Sequence, residues 1–327
     1  MPDGKPAPYR IVARYQPDDA SERGRVIAAL AATPASIDPR YFYDELGCAL
    51  YGAICRLPEY YPTRTEAALF REHREAIASA IGPVSQFVDL GAGDCCKGQA
   101  WLAFLSPGRY VAVDIAGPEI EKSLARMAPD FPEMEMLGVV ADFTAGLPLD
   151  DLLDSAPTLF FYPGSSIGNF HPDDALGFLQ RICALCASRP GSALLIGVDG
   201  KKRKGVLDAA YDDGLGVTAA FNKNALLHLN ARFGFDFVHE GFAHRGFYNE
   251  KAGRIEMHLE ALREQVVNLG GRERRFAQGE RIHTENSYKY HAPEFERLLA
   301  QAGFTSVERW ESEGGGYFVF HAGFHAA

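Results

Sequence analysis

The stretch FVDLGAGDCCKGQA, residues 87–100, decides the fold. It begins with an apolar run that predicts a buried strand, and the residues from Gly98 onward have the composition of a helix. Gly91 and Gly93 lie between them, and glycine permits both a tight turn and close approach of the backbone to a ligand. A strand, a glycine turn and a helix in this order are typical of nucleotide-binding α/β proteins. The full G-x-G-x-x-G fingerprint is not met, because Cys96 stands at the third glycine position.

The alternation of strand and helix continues along the chain. Apolar runs bounded by turn residues predict buried strands at 86–90, 110–115, 136–143, 158–163 and 193–199. Helical patterns separate some of these runs, at 98–105, 118–128 and 173–187. Such alternation predicts an α/β fold, in which a parallel sheet has helices on both faces. Residues 305–324 predict a final hairpin around three consecutive glycines.

Two regions depart from this alternation. The first 80 or so residues predict an arm followed by helices, with no strand–helix repeat. Residues 200–290 interrupt the sheet after its fifth strand, at the edge where open α/β sheets bind ligands, and so they are well placed to cover a substrate. We therefore predict two domains: a sheet domain of residues 61–199 plus 291–327, and a substrate-binding domain of residues 1–60 plus 200–290.

Composition excludes several classes of function. A net charge of -10 and a pI near 5.5 argue against nucleic-acid binding, because phosphates would be repelled. No apolar run approaches the roughly 20 residues that span a bilayer, and the N-terminus lacks a secretory pattern, so we predict a cytoplasmic protein. Cys183 and Cys186 have C-x-x-C spacing, but a helical context and the absence of a second pair favour a structural role. No histidine forms a metal signature, and no obligate protein partner is indicated.

Further side chains at predicted strand ends suggest the ligand. Asp114 ends the second strand roughly 20 residues beyond the glycines, where a carboxylate accepts hydrogen bonds from ribose hydroxyls. Asp142 and Phe143 end the third strand, where an adenine edge would lie. The short D-L-G-x-G form of the glycine turn favours S-adenosylmethionine (SAM), which has no pyrophosphate. Lys97 could bind the carboxylate of SAM, or it could be a solvated lysine at the start of a helix.

Four more stretches carry a resemblance to a known family. They are YFYDELGCALYGAICRLPEYYPTRTE (41–66), YPGSSIGNFHPDDA (162–175), AYDDGLGVTAAFNKN (210–224) and IHTENSYKY (282–290). With the glycine turn, they resemble the SAM-dependent histidine Nα-methyltransferases of the ergothioneine pathway, from about residue 20 to the end of the chain. The resemblance implies a Rossmann-type methyltransferase core, with a second domain built from the N-terminal segment and the insertion after the fifth strand. It also implies three successive methyl transfers from SAM to the α-amine of L-histidine, which give hercynine.

The resemblance also assigns residues around the reacting amine. It implies that Asn169 holds the amine and carboxylate of the substrate and that Gly164 contributes backbone contacts. Tyr43, Tyr60 and Tyr211 match family tyrosines around the same groups, and we expect Asn169 and Tyr43 to be catalytic. A phenol can donate to a carboxylate, and its ring face attracts a methylated ammonium. The alternatives are an Asx turn at Asn169 and partly buried packing tyrosines.

The stretch HTENSYKY predicts how the ring of the substrate is recognised. Strand alternation places Glu285 and Ser287 on one face, where a carboxylate would accept from one imidazole nitrogen and a hydroxyl would complement the other. The family has a Glu and a Ser here, and a methionine matching Met257 packs against the ring. Glu285 could instead be a surface carboxylate and Met257 core filling. The alternative function is N-methylation of another aromatic amino acid or imidazole derivative, since relatives act on other aromatic amino acids. A non-catalytic SAM-binding or scaffold protein is a further rival.

Overall fold

The computed structural model describes residues 8–15, 18–143 and 146–324. The strands are β1 Tyr9–Ala13, β2 Ala35–Ser36, β3 Gln86–Leu90, β4 Arg109–Asp114, β5 Glu135–Val140, β6 Thr158–Tyr162, β7 Ala193–Asp199, β8 Phe242–Asn249, β9 Arg254–Ala261, β10 Gln265–Asn268, β11 Glu273–Phe276, β12 Arg281–Tyr288, β13 Ser306–Glu311 and β14 Tyr317–Gly323. The α-helices are α1 Asp19–Ala31, α2 Glu45–Ile54, α3 Tyr61–Glu72, α4 Arg74–Ile81, α5 Cys96–Leu105, α6 Gly117–Met127, α7 Pro172–Ala187, α8 Lys204–Tyr211, α9 Val217–Phe233 and α10 Ala292–Ala302. None of the helices in these ranges is both long and apolar enough to cross a bilayer.

The chain divides into two compact units, each assembled from separate stretches. Unit 1 comprises Met1–Gln16, Thr65–Gly200 and Tyr290–Ala327, and unit 2 comprises Pro17–Arg64 and Lys201–Lys289. The boundaries therefore fall at 16/17, 64/65, 200/201 and 289/290. The sequence predicts the last three at 60/61, 199/200 and 290/291, and it does not predict the first.

Unit 1 is built on an eight-stranded sheet. The strand order is β1-β5-β4-β3-β6-β7-β14-β13, and the strands from β1 to β7 in this order are parallel. The last two strands form the predicted hairpin, with β14 antiparallel to both β7 and β13. Every residue of β3, β6 and β7 is buried, as expected for strands covered on both faces. The predicted α/β fold, with a parallel sheet and a closing hairpin, is confirmed.

The N-terminal arm differs from the prediction. Residues 1–60 were predicted to belong to the substrate-binding domain, without a strand repeat, but β1 pairs in parallel with β5 and belongs to unit 1. Ile11 packs over Gly138, where a Cβ atom would lie 2.5 Å from the Ile11 Cδ1 atom. The strand covers an edge of the sheet that would otherwise present unpaired backbone groups. The helix that follows β1, α1, belongs to unit 2 and does not lead to another strand of this sheet, so the alternation of strand and helix did not reveal β1.

Unit 2 combines a small sheet with helices from both of its stretches. The sheet has the order β2-β12-β9-β8, in which β12, β9 and β8 are antiparallel neighbours. One hydrophobic core joins residues from the two stretches, among them Leu30, Phe42, Phe221, Phe242 and Ile282. The segment 281–290 contains strand β12, as predicted, with a register irregularity between His283 and Glu285. Thr284, Asn286 and Ser287 of β12 are buried, so part of the polar segment lies in the interior of unit 2.

Candidate active site

The glycine turn of unit 1 has the geometry that its sequence predicts. Gly91 and Gly93 follow β3 with φ values of 69° and 52°, a backbone region that glycine adopts at little cost. The N–H group of Gly93 donates to Asp114 Oδ2 at 2.9 Å, and Ala116 N–H donates to Oδ1 at the same distance. These two bonds hold the Asp114 carboxylate beside the turn.

The carboxyl end of β5 adds a carboxylate and an aromatic ring. Asp142 and Phe143 are both partly buried there. The Phe143 ring lies 5.9 Å, between centroids, from both Tyr162 and Phe178, and it approaches Gly91, where an added Cβ would lie 3.7 Å from Cζ. An open glycine backbone, a fixed carboxylate and an aromatic face fit the adenosine part of SAM.

Lys97 forms an ion pair that the sequence analysis missed. Its Nζ atom donates to Glu66 Oε2 at 2.7 Å, and the Glu66 side chain is only 1% exposed. An ammonium group has three donors, so Lys97 can still bind a ligand carboxylate while paired. The proposed contact of Lys97 with SAM therefore remains a prediction.

Glu66 also fixes the loop that follows β6. Its Oε1 atom accepts from Gly164 N–H at 2.6 Å and from Tyr317 Oη at 2.7 Å. Gly197 leaves the necessary space, since a Cβ there would lie 2.0 Å from the same oxygen. Because the Gly164 N–H is already used, the backbone contact expected from Gly164 is limited to its carbonyl oxygen. Nothing in the pattern around Glu66 distinguished it from a surface residue of α3.

Asn169 lies at the end of the 3-10 turn Ser166–Asn169, directly after β6. Its side chain is partly buried and makes no hydrogen bond to any residue that the structure describes. The alternative of an Asx turn is therefore not what this loop uses. Ser165 holds the loop instead, because its Oγ accepts from Asp199 N–H at 2.8 Å. Both the donors and the acceptor of the Asn169 amide are left for a ligand.

Unit 2 contains a cavity that collects most of the predicted substrate-binding residues. It has about 310 Å³ of empty space, including the part open to solvent. Ten residues line it: Tyr43, Tyr51, Ile54, Tyr60, Ala210, Tyr211, Thr218, Phe221, Met257 and Glu285. Five of them were predicted from the sequence, and they come from four distant parts of the chain. The fold of unit 2 therefore brings these five side chains around one space.

Aromatic rings make up much of the cavity wall. Tyr60 lies 6.0 Å from Tyr211 and 6.5 Å from Tyr51, and Tyr43 lies 5.7 Å from Phe221, all between ring centroids. Burial raises the pKa of Tyr60 well above its ordinary value of 10, so the phenol is neutral near pH 7. Tyr51 and Phe221 were not predicted to be site residues, because neither stands in a position that the residues alone make distinctive.

Glu285 is the one acidic residue among those that line the cavity. It lies on β12 opposite Met257 of β9, and both reach the cavity. Burial raises the pKa of Glu285 to about 7, and the nearby Lys289 ammonium opposes this rise. A carboxylate in an aromatic cavity is a strong acceptor for a ring N–H group.

Ser287 is hydrogen-bonded to Tyr211, which lines the cavity, and to Lys289. Its Oγ atom accepts from Tyr211 Oη at 3.1 Å and from Lys289 Nζ at 2.9 Å. Lys289 Nζ also donates to Tyr211 Oη at 3.0 Å, and Lys289 is 2% exposed. Lys289 was not predicted to be a site residue, although strand alternation places residues 285, 287 and 289 on one face. Among the residues described, no group of three or more His, Cys, Asp or Glu side chains could hold a metal ion.

The chain is also similar in sequence to known proteins. A sequence model of the histidine-specific, SAM-dependent methyltransferases matches residues 22–323. The chain is 35% identical to the Histidine N-alpha-methyltransferase of Mycolicibacterium smegmatis, over 92% of this chain and 94% of that protein. It is 34% identical to the Histidine N-alpha-methyltransferase of Mycobacterium tuberculosis, over 94% and 97% of the two chains. It also shares 30% identity with Ergothioneine biosynthesis protein 1 of Neurospora crassa, over 85% of this chain and 32% of that protein.

These matches confirm the predicted enzyme class and the predicted methyl donor. The family match spans both units, and the two mycobacterial relatives are covered almost completely. The chain therefore belongs to the family of SAM-dependent, histidine-specific methyltransferases.

Proposed function

We propose that the protein transfers three methyl groups in succession from SAM to the α-amine of L-histidine and so produces hercynine. Family membership supports the donor and the substrate class. The observation that carries the choice of substrate is the Glu285 carboxylate at the aromatic cavity, with Ser287 on the same strand face. A site that hydrogen-bonds a polar ring discriminates strongly against rings without those groups, because its own buried polar atoms would be left unpaired.

The aromatic wall suits a substrate whose amine becomes a fixed cation. Ring faces attract methylated ammonium groups with about 0.5–2 kcal/mol each, and they do not require an N–H donor from the ligand. Tyr43, Tyr60 and Tyr211 would therefore bind the amine end at every stage of methylation, and Met257 would pack against the ring. Neutral phenols can also donate to the substrate carboxylate.

Orientation of the amine is the main catalytic requirement. SAM supplies a methyl group on a sulfonium, which is reactive enough to need no activation by a side chain. We propose that Asn169 binds the amine and carboxylate and that the Gly164 carbonyl accepts an amine N–H, so that the nitrogen lone pair is directed at the methyl carbon. Fixing reactants in this way can lower a barrier by roughly 7–11 kcal/mol. Tyr43 is proposed to help position the neutral amine.

The same proposal assigns the donor site to unit 1. Gly91 and Gly93 would present backbone to SAM, and Asp114 would accept from its ribose hydroxyls. Asp142 and Phe143 would contact the adenine, and Lys97 would bind the carboxylate of the methionine part. The Asp114 bonds to the glycine turn support this assignment, because they fix the carboxylate in advance.

The test is a mass-spectrometric time course with SAM and L-histidine, with L-tryptophan and L-tyrosine as controls. We expect singly, doubly and triply methylated histidine to appear in turn, with the triply methylated product at the end. Faster methylation of tryptophan would overturn the substrate, and a reaction that stops at one methyl group would overturn the three-step sequence. Glu285→Ala separates the rivals further, since only an enzyme that reads imidazole should lose affinity sharply.

We also propose that the protein works in the cytoplasm on a free amino acid. All six cysteines lie in described parts of the chain, and none of them forms a disulfide bond. Cysteines without disulfide bonds are usual where thiols are kept reduced. Fractionation of the native host followed by immunodetection would test this location, and recovery in an extracellular fraction would contradict it.

A further inference from the structure

Lys289, Ser287 and Tyr211 form a closed triangle of hydrogen bonds next to the cavity of unit 2. The three separations are 2.9 Å from Lys289 Nζ to Ser287 Oγ, 3.0 Å from Lys289 Nζ to Tyr211 Oη, and 3.1 Å between the two hydroxyl oxygens. All three residues are buried, with 2%, 3% and 8% of their surface exposed in the order given above. Burying an ammonium group is costly unless its N–H groups find hydrogen-bond acceptors. The hydroxyl oxygens of Ser287 and Tyr211 are two such acceptors for Lys289.

The triangle fixes which hydroxyl can donate to a ligand. An ammonium group only donates, so Lys289 takes one acceptor position on each hydroxyl oxygen. A phenol is a better donor than an aliphatic alcohol, and Tyr211 accordingly donates to Ser287 Oγ. Ser287 Oγ then accepts two hydrogen bonds, which is the full capacity of a hydroxyl oxygen. Its single proton remains available, and Ser287 can meet a further partner only as a donor.

We propose that Lys289 is a positioning residue that commits Ser287 to donating a hydrogen bond to the ring of the substrate. The inference rests on the proposed function, in which Glu285 and Ser287 bind the two nitrogens of an imidazole. Glu285 then accepts from the nitrogen that carries hydrogen, and Ser287 donates to the nitrogen that carries a lone pair. The site therefore selects the neutral imidazole in one tautomer.

The charges near the ring agree with this selection. Glu285 and Lys289 are four positions apart on the same face of the segment 285–289. Lys289 favours the ionised form of Glu285, although burial acts in the opposite direction. A carboxylate and an ammonium together bring no net charge to the ring, whereas Glu285 alone would attract an imidazolium ion. Such an ion carries N–H on both nitrogens and would oppose the Ser287 proton.

A double-mutant cycle tests whether Lys289 acts through Ser287. Wild type, Lys289→Met, Ser287→Ala and the double variant are compared in KM for L-histidine, kcat and KM for SAM. We expect each single change to raise KM for L-histidine about 10-fold or more, because a buried polar contact to the substrate is lost or misdirected. The KM of the double variant for L-histidine should be within about 2-fold of the KM of Ser287→Ala, since the effects of substitutions at coupled residues do not add. The KM for SAM should stay unchanged.

The controls separate this role from a merely structural one. Lys251→Met removes an exposed lysine of the β8–β9 turn and should leave all three constants unchanged. If Lys289→Met lowers the thermal midpoint markedly, the cycle is measured at a temperature at which that variant remains folded. Lys289→Gln, which keeps an N–H donor, is the conservative variant and should raise KM for L-histidine less than Lys289→Met does. The inference would be overturned if the effects of Lys289→Met and Ser287→Ala on KM multiply, or if Lys289→Met leaves KM for L-histidine unchanged. Wild-type turnover of L-histidine is measured first, so that failure of the proposed function is seen separately.

Discussion

Glu285 shows how one side chain can favour binding at a cost in stability. Its pKa is raised to about 7, chiefly by burial, from an ordinary value of 4.5. Between these two values the folded protein holds a proton that the unfolded chain releases. Stability contributed by this group is therefore greatest below the unfolded pKa and is lost as the pH rises through the folded pKa. Near neutral pH the ionised Glu285 carboxylate lowers the stability of the folded protein, but it is the acceptor that the proposed substrate requires.

The first prediction concerns Glu285→Gln. Relative to the variant, the wild type should lose roughly 1–3 kcal/mol of unfolding free energy between pH 5 and pH 8, because only the wild type has this raised pKa. Denaturant unfolding of both proteins at the two pH values measures the difference, and all other titrating groups cancel in the comparison. Equal pH dependence in the two proteins would contradict the prediction. The affinity for L-histidine should fall at least about 10-fold in the same variant.

The second prediction concerns Asn169→Ala. Because the Asn169 amide makes no hydrogen bond within the described structure, its loss should change the thermal midpoint little. Misplacement of the amine by about 1 Å can cost roughly 100-fold in rate, so we expect kcat to fall by about that factor. SAM affinity, measured by calorimetry, should stay within about 2-fold of wild type. Undiminished turnover would remove Asn169 from the mechanism.

Among the secondary-structure elements, Glu66 connects three parts of unit 1. It projects from α3 and receives hydrogen bonds from the loop after β6, from Lys97 at the start of α5 and from Tyr317 of β14. The loop that carries Gly164 and the helix that follows the glycine turn are therefore held by one carboxylate. Sequence pattern describes each element separately, and it cannot indicate that a carboxylate on one helix accepts hydrogen bonds from another helix, a loop and a strand.

The third prediction follows from this arrangement. Glu66→Ala should destabilise the protein by roughly 2–4 kcal/mol, because it leaves the Tyr317 hydroxyl and the Gly164 N–H without their acceptor. Glu72→Ala is the matched control, since Glu72 is an exposed glutamate at the end of the same helix and should change stability by less than about 0.5 kcal/mol. Denaturant unfolding measures both variants. Equal effects of the two substitutions would contradict the assignment of Glu66.

At the scale of the molecule, both units are discontinuous in sequence. Unit 2 has a single core to which both of its stretches contribute, and β2 of the first stretch pairs with β12 of the second. The cavity likewise takes Tyr43, Tyr51 and Tyr60 from the first stretch and the remaining aromatic residues from the second. Neither stretch can bury its apolar side chains without the other.

The fourth prediction is that residues 201–289 do not fold when produced alone. That segment lacks Leu30, Phe42 and the other core residues of the first stretch, so it cannot offset the conformational entropy of folding. Near-ultraviolet circular dichroism should show no fixed aromatic environment, whereas the full chain should show one. A cooperative thermal transition of the isolated segment would contradict the prediction.

The sequence by itself determined the sheet of unit 1, the glycine turn and the family. Strands buried on both faces have continuous apolar runs, and turn residues mark their ends, so β3, β6 and β7 could be predicted almost to the residue. Motifs such as TENSYKY depend on residue identity in a short stretch and can be recognised without any coordinates. Glu285 and Ser287 were found in this way, and the same alternation would have indicated Lys289.

Only the tertiary structure decided what depends on distant parts of the chain. It places β1 at the edge of the sheet, pairs Lys97 with Glu66, limits Gly164 to its carbonyl and gathers Tyr51 and Phe221 into the cavity. The physical reason is common to all of them. A local pattern records whether a side chain tends to be buried, but the partner that compensates a buried charge or fills a cavity is chosen by contacts far apart in sequence.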